Sequence, residues 1–512
     1  MHIFSVSCKL PPQGGDIKKA AAEALGTAAE NIVSIEILKR SIDARRTPLW
    51  VYRLAVTVEN PKGIRAEGYT PPAPFQIPVA TSEHRPVVVG LGPAGLFGAL
   101  VLARAGLRPI VLERGEDIDG RTRTVKKFME TGQLHFHSNV QFGEGGAGAF
   151  SDGKIGTGVK SPLLRFVTDT FVEHGAPPEI AYDAHPHIGS DRLPYVVKSI
   201  REEIISLGGE VHFSTQMTDI FAKNGHIYAV DTPQGSYETN ALLLAVGHSA
   251  RDTFALLRAK GAHLKAKPFS LGARIEHSRR DIDRAMYGDS ASLFPAAEYR
   301  LVHHLPDGPS VYTFCMCPGG YVIPAASEAG GVVTNGYSLH ARNGENSNAA
   351  VLVGIDPEWF GHDPFDGVRL QREIEEKAFR CGGGLYKAPC QLVGDFLQNR
   401  RSTVFGHIRP TYERGVTPGS IGDCLPDYIT DAIRKALPAF ARKLSPFADP
   451  DAVLTAPETR SSSPLRIVRD DTGQSNLRGL YPAGEGAGYA GGIMSAAIDG
   501  IGAALNVIAR AE

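Results

Sequence analysis

The segment Gly90-Leu91-Gly92-Pro93-Ala94-Gly95 carries three glycines at G-x-G-x-x-G spacing, and Glu113 is the lone acid that ends the next apolar run. Residues of these types at this spacing suit the binding of a dinucleotide. Gly90 permits a tight turn, Gly92 lets a pyrophosphate approach the backbone, and Gly95 lets a helix pack closely on the strand before it. The phosphates would sit over Pro93, Ala94 and the free N–H groups of the helix N-terminus, where the dipole favours negative charge. Glu113, followed by Arg114, lies 18 positions after Gly95, about where a carboxylate that accepts hydrogen bonds from a ribose belongs. Its charge would repel a 2′-phosphate, which weakens NADP as the ligand but leaves NAD and FAD equal.

Two further glycine-rich segments favour FAD. Gly484-Glu485-Gly486 follows the short apolar run at 480–483, and Gly491-Gly492 opens an alanine-rich helix at Ile493. An enzyme that uses only a nicotinamide has no evident need of such a turn. FAD extends its ribityl chain and ring across the sheet, so a distant segment must supply a second helix N-terminus. Glu485 could accept a hydrogen bond from a ribityl hydroxyl, and the N–H groups around Gly492 and Ile493 could stabilise the anionic reduced ring. Residues 139–155 combine Phe142, Gly143, Gly145, Gly146, Gly148 and Gly153 with Ser151, Asp152 and Lys154. This reads as a flexible, donor-rich loop suited to lying along a pyrophosphate or the isoalloxazine ring, with a plain surface loop as the alternative.

Other reactive side chains carry weaker patterns. Cys315 and Cys317, two apart in a strand pattern, would share one face and could act as a redox dithiol or a charge-transfer thiolate. We expect them mainly to pack, because cysteine is a common small buried hydrophobe and a disulfide across one residue strains the usual Cα separation. Arg460, beside Ser461, Ser462 and Ser463, could present a guanidinium to the flavin or to an anionic substrate. His135 and His137 have no third ligand in view, and no metal site is expected.

These residues need a scaffold of alternating strands and helices. The run Val87–Val89, the helical pattern from Pro93 to about Ala105 and the strand at 109–112 form a βαβ unit. An amphipathic helix at 194–207, a hairpin at 225–240 and an apolar strand at 241–246, ending at Gly247, would complete a nucleotide-binding sheet. Residues 1–80 read as a separate small α+β module of βαββ, ferredoxin-like type, joined by a proline-rich linker at 69–78. Residues 265–454 are irregular and rich in Gly and Pro, and read as an inserted α+β substrate domain. The fold class expected is therefore α/β, with a discontinuous Rossmann-like FAD-binding domain over 81–264 and 455–512.

Composition excludes several classes. A chain of 512 residues has room for two to four domains, and 42% hydrophobic with 21% charged residues is ordinary for a globular protein. The net charge of -1 gives no electrostatic reason to invoke nucleic acid or a membrane. No run approaches the ~18 apolar residues of a membrane span, and the first residues lack a signal-peptide pattern, so a cytoplasmic location is expected. The 6 cysteines are too sparse for a disulfide scaffold and are not spaced as a paired zinc site.

The fingerprint with "VLERG", "SNVQFGEGGAGAFSDGKI", "FCMCPGGYVIPAASE", "ETRSSSPLRIVR" and "YPAGEGAGYAGGIMSAAIDG", in this order, resembles the bacterial FAD-dependent dehydrogenases of poorly characterised function. The likeness extends more distantly to geranylgeranyl-reductase-like and glutathione-reductase-like flavoproteins, and spans residues 85–512. It implies FAD, a discontinuous cofactor domain and a substrate-binding insert. It also implies that residues 318–324, with Tyr321, wall the substrate cavity beside the ring. The function expected is an FAD-dependent oxidoreductase that transfers hydride between flavin N5 and a small organic substrate. The alternatives are a flavin monooxygenase, or an FAD-bearing RNA-modifying or partner-binding protein. No second fingerprint followed by an acid appears in the middle of the chain, so NAD(P)H would act only as a transient electron donor.

Overall fold

The computed structural model describes residues 2–306 and 308–511. Its centre is a five-stranded parallel sheet in the order Leu480–Pro482, Leu242–Leu244, Val87–Val89, Ile110–Leu112, Glu210–His212. Each strand is only three residues long, and alternate side chains enter different cores, as the two-residue period of a strand requires. Val88, Val111 and Leu243 face a helical layer, while Val87, Val89, Leu112, Leu242 and Leu244 face the other side. That other side is covered in part by a three-stranded antiparallel sheet containing the hairpin His226–Thr232 and Gly235–Glu238.

The helical layer brings the two ends of the domain together. Helix Pro93–Arg104 packs on helix Ile493–Ile508 at a crossing that only glycine allows. A Cβ on Gly500 would lie 2.0 Å from the Ala94 carbonyl oxygen, and one on Gly98 would lie 3.2 Å from the Gly500 carbonyl oxygen. Gly95 has a different neighbour: its Cβ would fall 1.8 Å from the Gly90 carbonyl oxygen, so this glycine seats the helix on its own turn. The crossing sets the N-terminus of the first helix, at Ala94, against the middle of the second, at Gly500.

The region after residue 265 builds a seven-stranded sheet in the order Val302–His304, Ser310–Cys317, Asn346–Ile355, Phe269–Ser278, Val453–Glu458, Ala388–Leu392, Val416–Pro418. The strand Val453–Glu458 pairs with Phe269–Ser278 through Arg274↔Thr455 and Ile275↔Leu454. The expected boundary at 454 therefore cuts this strand, and the sheet continues to Glu458. Helices Asp366–Cys381 and Asp427–Ala441 bury their apolar faces against it.

The N-terminal module has the sheet order Ile32–Asp43, Leu49–Val58, His2–Leu10, Glu67–Gly68, all antiparallel, with helix Ile17–Leu25 packed on it. Asp16 caps that helix by accepting from the N–H groups of Lys18 and Lys19, and Gly26 ends it in the left-handed region at φ 68°. The ferredoxin-like expectation needs correction: after Leu49–Val58 the chain makes only the two-residue strand Glu67–Gly68, and no second helix precedes it among the described residues. The module is also not free-standing. Arg40 donates to Asp183 at 2.6 and 2.8 Å, and its backbone exchanges bonds with Tyr182 and Ala184.

The helix crossing yields a direct test. Gly500→Val should destabilise the protein by on the order of 1–3 kcal/mol, because the added carbons must displace backbone. Gly502 has nothing within 4 Å of its built Cβ, so Gly502→Ala should be neutral or slightly stabilising. Urea midpoints of the two variants check this; equal shifts would refute the close-approach account.

Candidate functional site

One cleft collects the glycine-rich segments. It is lined by Gly90–Ala94, Glu113 and Arg114, Phe142, Gly143 and Gly146, Ser151, Asp152 and Lys154, Gly247, Gly484 and Glu485, and Gly491–Ile493. It opens at the carboxyl ends of the parallel strands, where ligands of open α/β sheets bind. Both helices that point at it start on glycine: Gly92 and Gly492 are the N-caps, and neither supplies a side-chain oxygen. The first N–H groups of each helix thus meet the cleft without a side-chain cap. A Cβ at Gly92 would meet only the Gly146 Cα, at an ordinary 3.6 Å, so the bare backbone there faces open cleft rather than protein.

Three expected cofactor residues lie behind the lining. Gly95 packs its helix, as described. Gly145 donates its N–H to the Leu91 carbonyl at 2.8 Å, which ties the loop to the fingerprint. Gly153, at φ 67°, turns the chain beside Gly189, whose nitrogen would be 2.9 Å from an added Cβ.

The 139–155 loop is fixed rather than flexible. Arg121, fully buried, donates to the carbonyls of Asn139 at 2.9 Å, Val140 at 3.0 Å, Gly143 at 3.2 Å, Glu144 at 2.6 Å and Gly146 at 2.8 Å. Burial lowers its pKa to about 10, opposed by the charges of Glu113 and Glu144, and it stays charged at neutral pH. No local pattern marks this residue, since its partners lie 18 to 25 positions away.

Glu113 does more than await a ribose. One carboxylate oxygen accepts from the Leu91 N–H at 2.7 Å, and the other accepts from Gly115 at 2.9 Å and Gly143 at 3.1 Å. Three of roughly four lone-pair directions are thereby used, leaving about one for a ligand hydroxyl. Arg114 stacks over Phe142 at 4.4 Å and pairs with Asp252 at 3.0 Å.

The insert closes the other wall with Phe314, Cys315, Asn335 and Glu458. Tyr321 is not in the cleft. It stands in the hairpin Tyr321–Pro324 with Thr334–Tyr337 and stacks on Tyr337 at 5.3 Å. The strand Ser310–Cys317 slips register between Phe314 and Cys317. This bulge carries Phe314 and Cys315 to the cleft and leaves residues 318–324 off its lining. Cys315 and Cys317 accordingly do not share one environment: Cys315 is partly exposed on the cleft wall, and Cys317 is buried behind it.

Most charges around the cleft are already paired. Asp152 binds Lys154 at 2.7 Å and Arg342 at 2.5 Å. Arg460 lines the cleft, but its guanidinium is held by Glu375 at 2.8 and 2.9 Å and by Ser327 and Glu328, which corrects the expectation of a free anion receptor. Burial pushes Glu375 up, yet the charges of Arg251 and Arg460 outweigh it and hold it at about 2. His248 and Ser249 are lining residues that motif reading passed over, although they follow a parallel strand at its carboxyl end. Burial, with the charges of Arg460 and Arg251, lowers His248 to about 3, so its imidazole is neutral.

Glu485 is the exception among the acids. Burial, opposed by Lys267, pushes it up to about 8, and a charge on Cys315 raises it further. A carboxyl favoured in its neutral form stabilises the fold fully below its unfolded pKa near 4.5. That contribution is lost as pH rises through about 8. Glu485→Gln should therefore match the wild-type apoprotein in melting temperature at pH 5 and exceed it at pH 9; a constant offset at both pH values would contradict this. Glu113→Ala leaves three backbone donors unmatched and should cost about 1–3 kcal/mol in stability, read as a lower urea midpoint of the apoprotein.

Comparisons with known proteins bear on this geometry. Residues 268–461 match a family model described as FAD-dependent protein, C-terminal domain-like, and residues 3–59 match a domain of unknown function. An L-proline dehydrogenase from P. horikoshii aligns with 85% of this chain and 95% of its own at 12% identity and a TM-score of 0.36. A glycine oxidase from Bacillus cereus aligns over 84% and 96% at 12% identity and a TM-score of 0.32. No helix among the described residues is long and apolar enough to cross a membrane. An uncharacterized protein of Clostridium beijerinckii is 44% identical over 528 residues, covering 100% of this chain and 99% of its own. The chain belongs to the family of that Clostridium beijerinckii protein.

Proposed function

We propose that the chain holds one FAD non-covalently along the cleft and is an oxidoreductase that moves hydride between flavin N5 and a small organic substrate. The observation that carries this reading is the pair of glycine-started helices, at Gly92 and Gly492, opening on a single cleft. A nicotinamide dinucleotide needs one such terminus; FAD uses both. The match of residues 268–461 to an FAD-dependent domain supports the same cofactor.

The flavin, when bound, supplies the redox chemistry, and the protein supplies orientation and electrostatics. On this reading the N–H groups after Gly92 hold the pyrophosphate, and the remaining acceptor direction of Glu113 takes a ribose hydroxyl. The N–H groups after Gly492 would counter negative charge on the reduced ring. Glu485, neutral below about pH 8, can donate as well as accept a hydrogen bond in the cleft. The wall of Phe314, Asn335 and Cys315 limits water and leaves the substrate its space. Where a pyridine nucleotide serves as electron donor, it visits this cleft transiently.

Denaturing the purified protein should release about one FAD per chain on chromatography; NAD alone, or no cofactor after reconstitution, would defeat the proposal. Gly92→Val supplies the sharper test. Its backbone is unstrained at φ -74° and its Cβ meets no protein atom closer than 3.6 Å. The variant should fold with an apoprotein melting temperature near wild type and lose FAD affinity by about 10- to 100-fold. Unchanged affinity would make the turn a packing feature only.

A further inference from the structure

We infer that Cys315 and Cys317 form a redox pair that exchanges two electrons with the flavin, Cys315 being the member exposed to the cleft. This rests on the FAD reading above. The geometry of the bulge carries it, together with the cations around it. Cys315 adopts φ 41°, a left-handed conformation rare for a residue with a side chain, in a position that glycine would occupy without strain. That turn folds the chain back so that the Cys317 thiol donates to the Cys315 carbonyl at 3.3 Å. The two residues thus meet at a turn rather than at the extended spacing of a regular strand.

Cations surround the pair. Arg274, fully buried, donates to the Cys315 carbonyl at 3.0 Å and lies 3.9 Å from the Cys317 sulfur. Lys154 contacts the carbonyl of Met316 between them and is anchored to Asp152. The carboxyls facing the pair are Glu458, which is paired to Arg274 at 2.7 Å, and Glu485. The neighbouring Cys317 thiol, with the charges of Arg274 and Lys154, lowers the Cys315 thiol below the usual thiol range, while the neighbouring Cys315 and burial raise Cys317. One thiolate beside one thiol is the state from which a dithiol reacts.

The step balances within the pair and the cofactor. The Cys315 thiolate and the Cys317 thiol form one S–S bond and give up two electrons and one proton. The electrons and a proton pass to the oxidised flavin ring, and the reverse step returns them. Cys315 faces the same cleft as Gly484, Glu485 and Gly492, whereas Cys317, buried behind it, serves as the resolving thiol.

Anaerobic dithionite titration of the holoprotein tests this. We expect about four electrons per chain in the wild type, against about two in Cys315→Ser, Cys317→Ser and Cys315→Gly. Cys315→Gly suits the backbone, so its loss of two electrons would not reflect misfolding. Differential alkylation supplies an independent readout: the peptide holding both cysteines should resist iodoacetamide in the oxidised protein and take two labels after reduction. A two-electron endpoint in flavin-bearing wild type, with both cysteines labelled before reduction, would overturn the pair while leaving the FAD reading intact. Protein that releases no flavin would overturn both.

Discussion

Arg121 is the residue on which the cleft depends. Its guanidinium gathers five carbonyls from a single loop, and a glycine-rich segment with few side chains has little else to hold it. Because a peptide group is planar and trans, turning the Gly146 carbonyl inward directs the Ala147 N–H the opposite way, and Ala147 lines the cleft. The buried cation thus decides the face that the loop shows to a ligand. Phe150 stacks on the same guanidinium at 4.8 Å, and Glu113 ties the loop to the fingerprint through Gly143. Backbone polarity in the site is fixed before any cofactor arrives.

What sequence revealed and concealed divides along range. The βαβ unit, the second glycine turn and the N-terminal strands were legible because their signals are local: a period of two or 3.6 residues, and glycine where a turn forces it. The cleft lining contains most of the glycines singled out on that basis. Tyr321 was placed beside the ring by the resemblance alone; it stands in a separate hairpin with Thr334–Tyr337, and the bulged strand before it brings Phe314 and Cys315 to the cleft instead. No glycine marks that bulge; Cys315 takes the positive φ itself. Arg121 and the partners of Arg460 were invisible for another reason. Their roles arise from contacts between segments far apart in the chain, and no spacing pattern encodes those.

The ionic clusters around the cleft fix how the insert sits on the parallel sheet. Glu375 of the insert binds Arg251, which follows a strand of the parallel sheet, and Arg460, on the return segment. Arg342 reaches from the insert to Asp152 on the 139–155 loop. Buried ion pairs of this kind add little net stability, since desolvation offsets attraction, but leaving one partner alone is costly. Their effect is therefore on geometry: a displaced insert would strand charges in the interior. The wall bearing Cys315 is held in register with the glycine turns by that penalty.

The crossing of the two glycine-lined helices has a consequence for how the protein matures. Gly92 and Gly492 stand 400 positions apart, yet both are needed to close the same cleft. At about 5–20 residues per second, a ribosome takes roughly 20–80 s to travel between them. Throughout that interval the first helix has no partner at Gly98, and its almost wholly apolar surface must be sheltered by other means. On the proposed reading, cofactor loading is consequently a late event, open only to a chain whose last helix has emerged and docked.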